Sequence, residues 1–253
     1  MTHQPHTSNP TPETPMGRAF EFRRARKEKR WANMARTFTK YGREISLAVK
    51  AGGPDVETNA RLRVVIQNAK AANMPKDNIE SAIKKASAKD AATLEEMNYE
   101  GYAPYGVAIF VETATDNPTR TVANVRSYFN KCNGALGTSG SLEFIFDRKG
   151  VFTIPSAGVD RDTLEMLLIE NGAEDIVEQD DDIIAYTTFA DFIGMQKALE
   201  QAGVVVTNAE VRRIPNTTVT LTDEQAEEII KLIDRLEDDD DVQNVFHNMN
   251  ENE

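Results

Sequence analysis

Between Gly106 and Ala114 the sequence reads Gly-Val-Ala-Ile-Phe-Val-Glu-Thr-Ala, a run of apolar and β-branched residues. Such a run predicts a buried β-strand. Asn117 and Pro118 follow it, and they predict the N-cap and first position of a helix from Thr119 to Lys131. Upstream of this strand the apolar residues recur at helical spacing, and downstream of it strands and helices alternate. The sequence therefore predicts a helical part followed by an α+β part.

The upstream part is predicted to be an all-helical bundle over residues 16–89. Its clearest helix, Arg36 to Ala51, has apolar residues on one side and cations on the other. Gly52-Gly53-Pro54 ends that helix, and a helix from Glu57 to Asn73 and a short helix opened by Pro75 follow. Residues 1–15 are rich in Pro, Thr and Ser, and we expect them to form a disordered tail.

The downstream part contains the order β-α-β-β-α-β between Gly150 and Arg213, which is the ferredoxin-like unit. The same order arises again if the elements on either side of this unit belong together. Those elements are the strand at Gly106, the helix at Thr119, strand Leu142 to Phe146, strand Thr217 to Leu221, helix Asp223 to Leu236 and strand Val242 to His247. We therefore predict one domain inserted into another.

The predicted fold class is α+β, with an N-terminal helical bundle followed by two ferredoxin-like α+β domains, one inserted into the other. The split domain is expected to comprise residues 93–148 plus 214–247, and the inserted domain residues 149–213. Residues 248–253 are expected to form a tail.

Charge is divided very unevenly along the chain. The whole sequence has 29 Lys and Arg against 41 Asp and Glu, for a net charge of −12. Met1 to Ala86 carries 17 cations and 8 anions, net +9, whereas Ser87 to Glu253 carries 12 cations and 33 anions, net −21. This asymmetry indicates a basic segment carried on an acidic body.

The cations concentrate between Phe20 and Lys50. Over Phe20 to Met34 they would point around the whole circumference of a helix, which leaves that helix little surface to bury. A polyphosphate is the partner that such a segment fits, although a solvated charged helix with no ligand is the alternative. The predicted nucleic-acid-binding residues are Arg18, Arg23, Arg24, Arg26, Lys27, Lys29, Arg30, Arg36, Lys40 and Arg43.

The sequence predicts no catalytic site, no metal site and no cofactor. The glycine-rich stretch Gly134 to Gly140 lacks the spacing and the lysine of a phosphate-binding loop. The acidic runs Asp180 to Asp182 and Glu237 to Asp241 do not follow a calcium-loop pattern, and we interpret them as solvated turns. The single cysteine, Cys132, favours a reducing compartment, and no apolar run approaches the roughly 20 residues of a membrane span. We expect a cytoplasmic protein that is not an enzyme.

Four stretches closely resemble the YebC/PmpR family. They are Tyr99 to Ile109, Asp116 to Val122, Gly134 to Ser141 and Asp238 to Asn248. The resemblance extends from Met16 to Asn248 and implies a helical bundle plus two α+β domains in a cytoplasmic regulator. Bacterial members are named as probable transcriptional regulators that bind DNA. Mitochondrial relatives are translational activators of cytochrome oxidase, and some bacterial relatives assist stalled ribosomes.

Three functions remain open at this point. The first is a DNA-binding transcriptional regulator. The second is a ribosome- or RNA-associated translational activator or stalling-relief factor. The third is a small-molecule-sensing or protein-docking module in which the basic helix is incidental. The expected partner is nucleic acid, either DNA or ribosomal RNA, with no membrane and no small-molecule substrate.

Overall fold

The computed structural model describes residues 34–88 and 93–250. The described helices are α1 (Met34–Gly52), α2 (Ala60–Ala71), α3 (Lys76–Ala86), α4 (Pro118–Lys131), α5 (Arg161–Glu170), α6 (Phe192–Gln201) and α7 (Asp223–Glu237). The described strands are β1 (Glu95–Tyr102), β2 (Ala108–Thr115), β3 (Ala135–Leu136), β4 (Phe146–Pro155), β5 (Ala173–Gln179), β6 (Asp182–Thr188), β7 (Asn208–Pro215) and β8 (Val242–His247). The predicted α+β class, with helices preceding the sheets, is confirmed.

Helices α1 to α3 pack around an apolar core that includes Ile45, Leu62, Met74 and Ile79. The junction between α1 and α2 is fixed by the buried side chain of Asn59. Its oxygen accepts the N–H of Leu62 at 3.0 Å, and its amide donates to the carbonyls of Ala48 and Gly53, each at 2.8 Å. Three helices predicted between Arg36 and the end of the bundle are thus observed. The predicted disordered tail and most of the predicted helix Phe20 to Met34 lie outside the described residues.

The second sheet is antiparallel and has the strand order β5-β6-β4-β7. Helices α5 and α6 cover one face through a core that includes Phe152, Leu168, Met195 and Leu199. Along the chain the elements run β4-α5-β5-β6-α6-β7. This is the ferredoxin-like order that the sequence predicted for the inserted unit.

The first sheet has the strand order β3-β1-β2-β8, and helices α4 and α7 pack on one of its faces. Strands β1 and β2 form an antiparallel hairpin that pairs from Glu95 with Thr115 to Tyr102 with Ala108. The inserted second sheet separates β3 from α7 and β8 in the sequence. The order is therefore β-β-α-β, then α-β, and the predicted second copy of β-α-β-β-α-β is wrong.

Two of the predicted strands of this first sheet do not form. Residues 139–145 curl into turns instead of a strand, because the buried Glu100 carboxylate accepts the N–H groups of Gly140 at 2.7 Å and Leu142 at 2.6 Å. Leu142 and Ile145 then pack on the sheet face opposite the helices. In the predicted strand Thr217 to Leu221, only Val219 pairs, through an isolated bridge to Met249.

Three residues of the predicted C-terminal tail also remain attached to the first sheet. Asn248 and Met249 are buried, and the Asn248 oxygen accepts the N–H of Ala108 at 2.8 Å. The chain therefore continues to contribute to this core at least to Asn250. Within residues 34–88 and 93–250, no helix combines the length and apolar character that crossing a membrane requires.

Candidate nucleic-acid interface

The ten cations predicted to bind nucleic acid fall into two groups. The first seven lie outside the described residues: Arg18, Arg23, Arg24, Arg26, Lys27, Lys29 and Arg30. The other three, Arg36, Lys40 and Arg43, lie on α1. Their spacing of four and three residues puts them on the same face of that helix.

This face of α1 lies against the loop that joins α7 to β8. We call Asp238 to Asp241 the acidic turn. The Arg36 guanidinium pairs with Asp238, and Arg43 donates to the Asp241 carboxylate at 2.8 Å and to the carbonyl of Ala114 at 2.5 Å. Lys40 donates to the carbonyl of Gln243, just beyond the turn, at 3.4 Å. Arg36, Lys40 and Arg43 therefore all have partners within the chain.

Asp241 is the centre of this contact and is only 3% exposed. Besides Arg43, its carboxylate accepts hydrogen bonds from Arg120 at 2.7 and 3.0 Å, from Thr121 at 2.8 Å and from Thr115 at 3.3 Å. Burial alone would raise the pKa of Asp241, but the hydrogen bonds from Arg120, Thr121 and Arg43 outweigh it, so the pKa is lowered. Asp241 is thus an ionised, buried anchor for three segments of the chain.

The solvated turn predicted for this acidic run is therefore wrong at two of its positions. The Asp239 carboxylate accepts hydrogen bonds from the Tyr128 hydroxyl at 3.0 Å and the Asn124 amide at 3.1 Å, and Asp241 is buried. By contrast, Asp240 is exposed and forms no ion pair with any residue in the described part of the chain. Charge density alone did not show which carboxylates face inward.

The start of α4 provides two of the side chains that donate to Asp241, Arg120 and Thr121. The oxygen of Asn117 caps the helix by accepting the N–H of Arg120 at 3.1 Å, and Pro118 occupies the first turn. The predicted N-cap at Asn117 is thus observed, and the neighbouring Asp116 carboxylate pairs with Arg120 at 2.8 Å. The capping pair positions Arg120 and Thr121 over the acidic turn.

A cavity of about 1060 Å³ lies between the helical bundle and the two sheets. Its walls include Tyr41 and Glu44 from α1, Arg61 from α2, Glu112 from β2 and Glu210 from β7. Burial, with added repulsion from Glu210 and Glu112, raises the pKa of Glu44 to about 7, and Arg61 and Lys40 act in the opposite direction. The cavity is lined by side chains of both charges.

The bundle is tied to the second sheet by polar contacts on α2. The Asn68 amide donates to the carbonyl of Ala209 at 2.6 Å, and its oxygen accepts the N–H of Ala209 at 3.0 Å. Gln67 donates to the carbonyl of Val206 at 2.9 Å. Asn68 thus pairs with the edge of β7 as a neighbouring strand would, and it covers that edge.

The two other stretches that the sequence analysis considered as sites form connections between strands in the described fold. The Gly134 to Gly140 stretch contains β3 and leads into the turns held by Glu100, and Asp180 to Asp182 joins β5 to β6. Among residues 34–88 and 93–250, no three His, Cys, Asp or Glu side chains are grouped so as to hold a metal ion.

Comparison with known proteins places this architecture among related chains. Residues 18–89 match the family model described as the TACO1/YebC protein N-terminal domain, and residues 94–249 match the model described as the TACO1/YebC second and third domain. The two models together cover the helical bundle and both sheets.

Curated relatives match along almost their whole length. A protein of Porphyromonas gingivalis is 61% identical over 94% of this chain and 99% of its own, and one of Flavobacterium johnsoniae is 56% identical over 93% of this chain and 100% of its own. Both are named "Probable transcriptional regulatory protein". A crystal structure of a conserved hypothetical protein from Aquifex aeolicus matches with a TM-score of 0.76 and 42% identity, covering 85% of this chain and 90% of that one.

Proposed function

Because the chain belongs to the TACO1/YebC family, we propose that it regulates gene expression by binding nucleic acid and that it does so without catalysing a reaction. The names of its relatives support a regulatory role. In this proposal the protein acts in the cytoplasm as a DNA-binding transcriptional regulator.

The observation that carries the proposal is the segregation of charge along the chain. Residues 1–86 have a net charge of +9, and residues 87–253 have a net charge of −21. Lys and Arg that neutralise phosphates release counterions, which supplies most of the free energy of non-specific binding. The acidic body repels phosphate, so contact is expected to concentrate at the basic end.

The contacts of α1 refine which cations are expected to bind. Arg36, Lys40 and Arg43 have partners within the chain, so we assign the first contacts to the seven cations between Arg18 and Arg30. Helix α1 follows this basic segment directly, and its contact with the acidic turn would anchor the segment to the body.

Association with ribosomal RNA is the second candidate. It is favoured because the candidate contacts are all charged groups suited to phosphate, and phosphate contacts position a protein without reading sequence. A structured RNA presents the same phosphates as a DNA duplex. The two candidates therefore share their binding chemistry and differ in the partner.

Charge reversal in the basic segment tests the proposal. The variant combines Arg23→Glu, Arg24→Glu, Lys27→Glu and Arg30→Glu, and the matched control reverses Lys84, Lys85, Lys131 and Lys197, which are exposed and change the net charge equally. Binding is measured to promoter duplex, to random duplex and to ribosomes sedimented through a gradient after DNase treatment. We expect the first variant to lose binding and the control to retain most of it.

The pattern of partners decides between the candidates. Nanomolar binding to the promoter at physiological salt, far above binding to random duplex, supports transcription. Co-sedimentation with ribosomes that survives DNase supports translation. If the charge-reversed protein retains full regulatory activity in cells, nucleic-acid binding by this segment is rejected, and a sensing or docking module becomes the better hypothesis.

A further inference from the structure

The acidic turn offers α1 the same kind of partner that nucleic acid would. Its carboxylates form charge-assisted hydrogen bonds with guanidinium groups, as phosphate oxygens do. Two of its four residues, Asp238 and Asp241, pair with Arg36 and Arg43, both predicted to contact phosphate.

We infer that the acidic turn competes with nucleic acid for the cations of α1, so that phosphate must displace Asp238 before Arg36 can bind it. This inference rests on the proposed function, because it requires the basic end of the chain to meet nucleic acid. It adds an autoinhibitory contact built into the fold.

The surroundings of Asp238 make the release of Arg36 inexpensive, and those of Asp241 limit the cost of releasing Arg43. The Asp238 side chain is 51% exposed, so water can solvate its carboxylate once Arg36 leaves. Asp241 is buried, but it keeps its hydrogen bonds from Arg120 and Thr121 when Arg43 leaves. Neither departure strands an unpaired buried charge, which is the arrangement that would have made release costly.

A purely structural role for the same ion pairs gives the opposite expectation. If Asp238 only positions α1 on the first sheet, its removal should leave nucleic-acid affinity unchanged or lower it. If Asp238 competes with phosphate, its removal should raise the affinity.

The experiment compares Asp238→Asn with Asp240→Asn in the full-length chain. Both variants remove one negative charge from the acidic turn, but only Asp238 pairs with an α1 cation, whereas Asp240 is exposed without an ion pair among the described residues. The probes are a random-sequence DNA duplex and, separately, purified ribosomes. An exposed pair is worth up to about 1 kcal/mol, so we expect Asp238→Asn to bind about twofold to fivefold more tightly than Asp240→Asn.

A double-mutant cycle identifies the cation involved. In an Arg36→Gln background, the gain from Asp238→Asn over Asp240→Asn should disappear, because no guanidinium is left to release. Thermal unfolding of each variant checks that the fold is retained.

Each result bears on the inference separately from the proposed function. Three results overturn the inference and leave the proposed function standing, provided that the wild type binds. They are equal affinities of the two Asn variants, weaker binding by Asp238→Asn than by Asp240→Asn, and a gain that persists without Arg36. Absence of binding by every variant to either probe overturns both. Binding that appears only after Asp238→Asn supports the inference most strongly.

Discussion

At the scale of single residues, one buried carboxylate, Asp241, and one half-buried carboxylate, Glu44, have pKa shifts of opposite direction. Asp241 is ionised because guanidinium and hydroxyl groups surround it, and its pKa is lowered. Glu44 forms no hydrogen bond or ion pair with a described residue, and burial raises its pKa to about 7. The ionised carboxylate of Asp241 therefore stabilises the fold, whereas that of Glu44 destabilises it, because only Asp241 is surrounded by hydrogen-bond donors.

Glu44 makes the folded protein less stable as the pH rises. Its pKa rises from an ordinary value of 4.5 to about 7 on folding, so the folded protein binds the proton more tightly. The contribution of Glu44 to the free energy of unfolding should be most favourable below about pH 4.5. It should decrease between about pH 4.5 and pH 7 and should stay constant at higher pH. Glu44→Gln should remove that slope and stabilise the protein by about 2 kcal/mol at about pH 8.

Urea unfolding at several pH values checks this prediction. Glu165→Gln is the matched control, because Glu165 is exposed on α5 and makes no ion pair with a described residue. The assignment to Glu44 is wrong if both variants retain the same pH slope as the wild type.

At the scale of secondary structure, the sequence predicts an element well when one face of that element is apolar. The limits of β8 were predicted to the residue, and α4 and α7 to within one residue, because each has a clear apolar stripe and a recognisable start. Strand β1 was missed because its sequence, Glu-Glu-Met-Asn-Tyr-Glu-Gly-Tyr, is largely polar. Alternation of Met97, Tyr99 and Gly101 towards α4 and α7 was the signal that could have identified it.

Gly101 shows how closely β1 approaches its neighbours. A Cβ at this position would lie 2.6 Å from the carbonyl oxygen of Ala135 and 2.7 Å from the Phe129 ring. Backbone and a buried aromatic cannot yield cheaply, so Gly101→Ala should lower the free energy of unfolding by about 1–3 kcal/mol. Gly194→Ala is the control, since Gly194 is on α6 with no atom near its added Cβ, and it should be neutral or stabilising. Urea unfolding of both variants measures the difference, and equal stabilities would contradict the close packing described.

The sequence did not reveal which residues pair with the polar side chains of α1 and α2, because their partners are distant along the chain. Asn68 and Ala209 are 141 residues apart, and Arg43 and Asp241 are 198 apart. Nothing in the local pattern of either segment identifies such a partner. The sequence located the cations of α1 correctly as a polar face, but that face could equally have been free for a ligand or paired within the chain.

At the scale of the whole molecule, α1 and α2 connect the two sheets, and the contacts differ in strength. Arg36–Asp238 and Arg61–Glu96 are substantially exposed, so salt should screen them, whereas Arg43 meets the buried Asp241. Arg43→Gln should therefore loosen the bundle from the first sheet. We expect it to cost about 1–3 kcal/mol of stability and to speed amide hydrogen exchange in α1 and at Ala114. Lys70→Gln, an exposed cation on α2 with no ion pair among the described residues, is the control.

Hydrogen exchange across a salt series separates this contact from the exposed pairs. In the wild type, the buried contact should keep α1 protected at high salt, and in Arg43→Gln that protection should become salt-sensitive because only screened pairs remain. If exchange in α1 is unchanged by Arg43→Gln at every salt concentration, the bundle is held by its apolar and amide contacts alone. In that case Arg43, like Arg36, could exchange its aspartate for phosphate at little structural cost.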